Sequence, residues 1–290
     1  RLQPHQILFT YLHLAPDAEQ AKGLMASGAT AIAYETVTDA QGGLPLLAPM
    51  SEVAGRLSIE AAAMALRRPT GGRGVLMGGV PGVRPAKVVV LGGGVVGTHA
   101  ARMAAGLGAD VTIIDRSIPR LRQLDELFEG RVKTLASTME TVETEVLAAD
   151  VVVGAVLIAG ASAPKLISRA MRKDMKKGAV LVDVAIDQGG CFETSRPTTH
   201  AEPTFIVDGI IHYCVANMPG AVPTTSAQAL NNATLPFVIK LAERGLAAFD
   251  RDPHLAAGLN VKGGRIMHQA VAASLGFDGG PGKPLPVAAE

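Results

Sequence analysis

Between Ala86 and Ala185, apolar and polar positions alternate in blocks rather than residue by residue. Short, nearly continuous apolar runs recur: "KVVVLG", "DVTIID" (Asp110–Asp115), "RVKTLAS", "DVVVGAV" (Asp150–Val156) and "AVLVDVA" (Ala179–Ala185). Longer mixed stretches separate them, at Val95–Leu107, Ile118–Phe128, Met139–Leu147 and Pro164–Met171. Runs of this kind predict strands buried on both faces, and the mixed stretches predict the helices that cover them. Regular strand–helix alternation predicts a parallel sheet. "TFIVDGIIHYCV" (Thr204–Val215) predicts two further strands around an Asp208-Gly209 hairpin turn.

The flanks have a different rhythm. Ile7–Leu14 predicts a buried strand, Asp17–Ser27 a short helix ending at Gly28, and Thr30–Val37 a second strand rich in β-branched residues. Met50–Arg67 predicts a helix stopped by Pro69, followed by a glycine-rich surface loop over Thr70–Val83. Ser226–Phe249 predicts helix, then a short polar stretch with further helix around Ile266–Leu275 and a disordered end, "DGGPGKPLPVAAE". The fold expected is α/β: a Rossmann-type doubly wound parallel sheet over residues 49–221, plus a second α/β substrate domain built from both chain ends, residues 1–48 and 222–290.

Composition narrows the partners. A chain of 290 residues holds two domains at roughly 100–200 residues each. With 27 basic against 26 acidic residues there is no concentrated positive charge for nucleic acid or an anionic membrane surface. The basic run "RKDMKK" (Arg172–Lys177) reads as a solvated helix end, and no run of 18 apolar residues suggests a membrane span. Cys191 and Cys214 are too few for a disulfide scaffold and lack metal-ligand spacing, so no metal is expected and a reducing cytoplasm fits.

"VVVLGGGVVGTHAARMAAGLGADVTIIDR" (Val88–Arg116) carries the first specific chemistry. Gly92, Gly94 and Gly97 form G-x-G-x-x-G between a strand and a helix, and Asp115 ends the next strand, 18 residues beyond Gly97. That context turns a common pattern into a dinucleotide grip, the alternative being a tight turn without a ligand. Gly92 allows the turn, Gly94 lets a pyrophosphate approach the backbone, and Gly97 lets helix and strand pack closely. The helix start stabilises phosphate charge. Asp115 would accept from ribose hydroxyls and repel a 2′-phosphate, favouring NAD, although neighbouring Arg116 is of the type that accommodates that phosphate.

Reactive residues elsewhere are few. His13 lies on an apolar strand, where a histidine is ordinarily a satisfied core residue. Asp183 and Asp187 in "VDVAIDQGG" fall at the carboxyl end of a parallel strand, where open α/β sheets hold ligands, or serve as turn chemistry before glycines. Asn217 in "CVANMPGAVPTTS" follows another strand and could equally fix a loop.

Together "YLHLA", "AYETV", "LLAPMSEVAGR", "GGRGVLMGGVPGV", "GAVLVDVAIDQGGCFETSRPTTH" and "YCVANMPGAVPTTS" resemble the L-alanine dehydrogenase family, grouped with the NAD(H)-binding subunit of proton-translocating transhydrogenase, over about Ile7–Gly276. The resemblance implies reversible oxidation of L-alanine to pyruvate and ammonium with NAD, by a hexamer. It implies that His13 is the acid/base histidine and Asp187 the aspartate near the substrate nitrogen. Ser51, Asn217 and Met218 would line the cofactor, with Gly94, Val96 and Asp115 in the grip. The family's carboxylate-binding arginine and lysine come from an amino-terminal segment with no counterpart here; Arg56, Arg73 and Arg84 do not match them. This stretch, opening at Arg1, therefore reads as one whose beginning is missing, expected to bind NAD and to turn over alanine poorly. The alternatives are a transhydrogenase-type NAD(H)-binding subunit or a non-catalytic NAD-binding remnant.

Overall fold

The computed structural model describes residues 2–156 and 164–276. They divide into two units, one from residues 2–49 and 227–276, the other from 50–156 and 164–226. The predicted disordered end, 278–290, lies outside the described residues.

The second unit is a seven-stranded sheet. Its strands are β3 (Lys87–Leu91), β4 (Asp110–Asp115), β5 (Lys133–Ala136), β6 (Val151–Gly154), β7 (Val180–Asp183), β8 (Thr204–Val207) and β9 (Ile210–Tyr213). Their spatial order is β5-β4-β3-β6-β7-β9-β8. All neighbours pair in parallel except β8, which pairs antiparallel with β9 at the edge. The direction of winding reverses between β3 and β6, which is the doubly wound arrangement with its ligand-binding switch point. The apolar runs explain the strands: Val88, Val89 and Val90, and Val151, Val152 and Val153, are all fully buried, because helices cover both faces.

The crossover helices are α3 (Val95–Gly106), α4 (Ile118–Phe128), α5 (Met139–Ala148) and the short α6 (Arg169–Asp174). Ser117, Thr138 and Ser168 cap the last three, each side chain accepting from a backbone N–H in the first turn. The helix expected over Pro164–Met171 starts five residues late. Its first residues are instead extended beside Phe192, with Ile167 bridging that residue in parallel and Leu166 N–H donating to the Cys191 carbonyl at 2.7 Å. The "RKDMKK" run is not simply solvated either. Arg172 is 3% exposed and its guanidinium donates to Asp208 at 2.5 Å.

The first unit is a four-stranded sheet, ordered β1 (Ile7–Thr10), β2 (Thr30–Ala33), β10 (Leu259–Lys262) and β11 (Arg265–Ile266). Helices α1 (Ala18–Ser27), α7 (Pro223–Arg244), α8 (Pro253–Ala256) and α9 (Gln269–Ser274) accompany it. α1 starts on an Asp17 side-chain cap and stops at Gly28, in the left-handed conformation. Both strands predicted here are shorter than read. β1 ends at Thr10 rather than Leu14, and β2 gives way at Tyr34 to a 3-10 turn. The polar stretch before α9 holds an unpredicted hairpin, β10–β11, turned by Gly263 and Gly264 with φ of +56° and +73°. Two successive positive φ values define the turn type that suits a two-residue hairpin.

His212 on β9 is fully buried, its ring bonded to the Ile210 carbonyl and the Thr194 hydroxyl and stacked on Phe205. Burial holds its imidazole down to about 4, against an ordinary 6.5. The fold therefore favours the neutral ring. That stabilisation is fully present above pH 6.5 and is lost as pH falls from 6.5 towards 4, where the unfolded chain takes up the proton first. Urea unfolding should show the protein losing about 2 kcal/mol more than His212→Gln between pH 7 and pH 5; equal losses in both would contradict this placement.

Candidate active site

The carboxyl ends of the parallel strands carry the site of the second unit. β3 runs into Gly92, Gly93 and Gly94, and α3 begins at Val95 with Gly94 as its cap. Gly92 has φ of +100°, and a Cβ there would lie 2.7 Å from the Ala155 carbonyl oxygen. A Cβ on Gly97 would lie 1.8 Å from the Gly92 oxygen, so strand exit and helix touch backbone to backbone. At Gly94 a Cβ would meet nothing within 4 Å, which leaves open space in front of the helix start. The first turn of α3 carries no acidic side chain. A helix start offers unpaired N–H groups and the positive end of its dipole, so the cradle fits a pyrophosphate.

Asp115 ends β4. Its carboxylate accepts the Gly93 N–H at 2.6 Å and the Ser117 N–H at 2.8 Å, one on each oxygen. Each oxygen keeps lone-pair capacity for a ribose hydroxyl. Arg120, at the start of α4, was not legible in the sequence. Its Nε donates to the Gly93 carbonyl at 2.7 Å and Nη2 to the Thr98 hydroxyl at 2.8 Å. The glycine loop is thus held from both sides, by Asp115 on its N–H and Arg120 on its C=O. Arg116 is exposed. Helix α2 (Ala48–Ala65) crosses the first turn of α3, where a Cβ on Gly55 would meet the Val96 oxygen at 2.3 Å. Half-buried Ser51 lies one turn before that crossing.

β7 ends at Asp183, which is fully buried and offers nothing to solvent. A 3-10 turn, Val184–Gln188, follows and presents an exposed Asp187. The Asp187 carboxylate accepts the Asn217 N–H at 3.3 Å, which joins the loops leaving β7 and β9. Asn217 is itself left-handed, with φ of +52°. Met218 is 2% exposed and packs in the core, so its backbone is what it could offer a bound group.

His13 belongs to the first unit, and the core position read from its apolar surroundings is overturned. Leu12 and Leu14 are buried, while His13 between them is exposed with φ of +48°. A positive φ on a non-glycine residue is strained and needs support. Glu35 supplies it from the 3-10 turn after β2. One of its oxygens accepts the N–H of His13 at 2.6 Å and of Leu12 at 3.1 Å. Those two N–H groups are therefore spent on a carboxylate rather than a strand partner, which is why β1 stops early. Tyr11 stacks on the His13 ring at 5.8 Å between centroids and donates to the Leu46 carbonyl. Burial pushes the Tyr11 hydroxyl well above its ordinary value, so it remains a donor at any working pH. Among the described residues no cluster of His, Cys, Asp or Glu could hold a metal ion.

The doubly wound sheet, the glycine crossing and Asp115 define a Rossmann-type dinucleotide-binding protein. Comparison with known proteins gives the particular family. The model described as "Alanine dehydrogenase/PNT, C-terminal domain" matches residues 58–269, and its N-terminal counterpart matches 1–54. The chain is 62% identical over 279 residues to the alanine dehydrogenase of Halomonas elongata, covering 96% of this chain and 75% of that protein. A solved L-alanine dehydrogenase matches with a TM-score of 0.88 at 55% identity, over 94% of this chain and 76% of the other. A Sinorhizobium meliloti transhydrogenase matches with a TM-score of 0.75 at 23% identity, over 91% and 76% of the two chains, and shares the fold. The chain belongs to the alanine dehydrogenase/PNT family.

The glycine crossing yields a direct prediction. Gly97→Ala should weaken NADH binding, followed by nicotinamide fluorescence, by about tenfold or more, equivalent to at least about 1.4 kcal/mol. Unchanged affinity in a folded variant would mean that the crossing does not shape the cradle.

Proposed function

We propose that the chain is an NAD-dependent L-alanine dehydrogenase, catalysing reversible oxidative deamination of L-alanine to pyruvate and ammonium. The observation that carries this reading is the combination of a complete glycine grip with an exposed Asp187 tied to Asn217 at the same strand ends. The 62% identity to an alanine dehydrogenase supports the choice of substrate. Residues 49–221 are assigned as the NAD-binding domain, and 1–48 with 222–290 as the substrate domain.

Gly92, Gly94, Val96 and Gly97 would hold the pyrophosphate, Asp115 the ribose, and Ser51, Asn217 and Met218 the remainder of NAD. When bound, NAD accepts the hydride released from the α-carbon of alanine. Asp187 then stabilises positive charge that develops on the substrate nitrogen, as a fixed carboxylate does without reorganising. His13 moves protons as water adds to the α-carbon and ammonia departs, an imidazole being able both to accept and to donate a proton. Glu35 fixes the strained backbone from which the imidazole projects.

The reading includes a homo-oligomer, hexameric as the resemblance implies, in a reducing cytoplasm. Two buried free thiols, Cys191 and Cys214, suit that setting. Among the described residues no helix is long and apolar enough to cross a membrane. The transhydrogenase-type alternative has likeness of fold at 23% identity behind it, against 62% identity to an alanine dehydrogenase.

Alanine-dependent formation of NADH, followed by absorbance, tests the reading. His13→Ala should lower kcat by about 10²–10⁴-fold. Asp187→Asn should lower it by about 10²–10³-fold. Affinity for NADH should stay within about threefold in both, equivalent to about 0.7 kcal/mol. Full activity in either variant would remove that residue from the mechanism.

A further inference from the structure

The turn that presents Asp187 has little intrinsic order. It is a single 3-10 turn followed by Gly189 and Gly190, with φ of +88° and +72°. Glycines lose the most conformational freedom on folding, so neighbours must hold such a turn in place. Two side chains do so, one buried and one at the surface.

Asp183 closes the turn at its base. From the end of β7 its carboxylate reaches across to the returning chain, accepting the Cys191 N–H at 2.9 Å, the Phe192 N–H at 3.4 Å and the Ser195 hydroxyl. Its other oxygen accepts the Cys191 thiol at 3.4 Å. An ionised carboxylate accepts on both oxygens, whereas an amide must turn a donor towards one of these groups. A Cβ on Gly190 would come within 2.7 Å of the same carboxylate, so chain and clamp are in close contact.

Lys165 grips the turn from the surface. Its ammonium donates to the Gly189 carbonyl at 2.5 Å and the Gly190 carbonyl at 2.7 Å, two residues and three residues after Asp187. The segment that carries Lys165 is itself fastened. Leu166 N–H donates to the Cys191 carbonyl at 2.7 Å, and Glu193 N–H to the Ile167 carbonyl at 3.0 Å.

We propose that Asp183 and Lys165 are positioning residues for the reaction, locking from inside and outside the turn that aims the Asp187 carboxylate. The assignment rests on the reading of Asp187 as a catalytic residue. Charge-assisted hydrogen bonds to two consecutive carbonyls fix both the height and the rotation of the turn. A displacement of about 1 Å at a reacting group can cost about 10²-fold in rate.

The test pairs hydrogen exchange with kinetics on the full chain. In Lys165→Met, a surface change that does not disturb the core, amides of residues 184–193 should exchange faster. The same variant should lose about 10–100-fold in kcat while KM for NAD moves by less than about threefold. Lys165→Arg keeps a cation with donors for both carbonyls and should restore most of the protection and the rate. Asp183→Asn should show the same split of kcat from KM, with lowered thermal stability because the group is buried. Unchanged exchange and kcat in Lys165→Met, with Asp187→Asn impaired, overturns the positioning role alone. Full kcat in Asp187→Asn overturns the reading of Asp187, and the positioning role with it.

Discussion

The tightest constraint in the second unit is the contact between the exit of β3 and the first turn of α3. The Gly97 backbone sits so close to the Gly92 carbonyl that a methyl group would fall 1.8 Å from its oxygen. This contact sets where the helix start lies above the sheet and leaves clear space beyond Gly94. Asp115 and Arg120 then bind the intervening Gly93, one at its N–H and one at its carbonyl. A loop of three glycines, flexible on its own, becomes a preorganised anion cradle because strand, helix and two long-range side chains over-determine it.

The same strategy recurs where the chemistry is proposed. Asp187 and Asn217 meet because β7 and β9 are parallel neighbours whose ends rise on one edge of the sheet. His13 projects from a backbone strained at φ of +48°, paired with the carboxylate of Glu35. In each case an acidic side chain spends its lone pairs on backbone N–H groups. Glu35, Asp115 and Asp183 thereby buttress loops, while Asp187, in the turn after β7, stays exposed.

Much of this was legible in the sequence, for physical reasons. Strands β3, β4, β6 and β7 announce themselves because strands buried on both faces must be apolar, whereas β5, with Lys133 and Ala136 exposed, shows only through its place in the strand–helix alternation; the Asp208-Gly209 pair marks the β8–β9 hairpin. The hairpin β10–β11 escaped because its strands span only four and two residues; its Gly263-Gly264 turn was the available signal. The helix expected at Pro164 failed because pairing with Phe192 outweighs local propensity there. The apolar neighbours of His13 made a core position its ordinary reading, since they cannot reveal that Glu35, 22 residues away, takes its N–H and turns the chain. Arg120 reaches Gly93 across 27 residues and leaves no pattern in either segment. Motifs point to the grip and to the residues proposed as reactive; the groups that hold them still are tertiary contacts.

The central claim is that the grip holds NAD so that hydride passes to it from the α-carbon of L-alanine. Mass analysis of the reduced cofactor formed from alanine deuterated at that carbon tests it directly. One deuterium should appear in each reduced nicotinamide, with none lost to water. Reduced cofactor carrying no deuterium, or deuterium appearing in solvent, would contradict it.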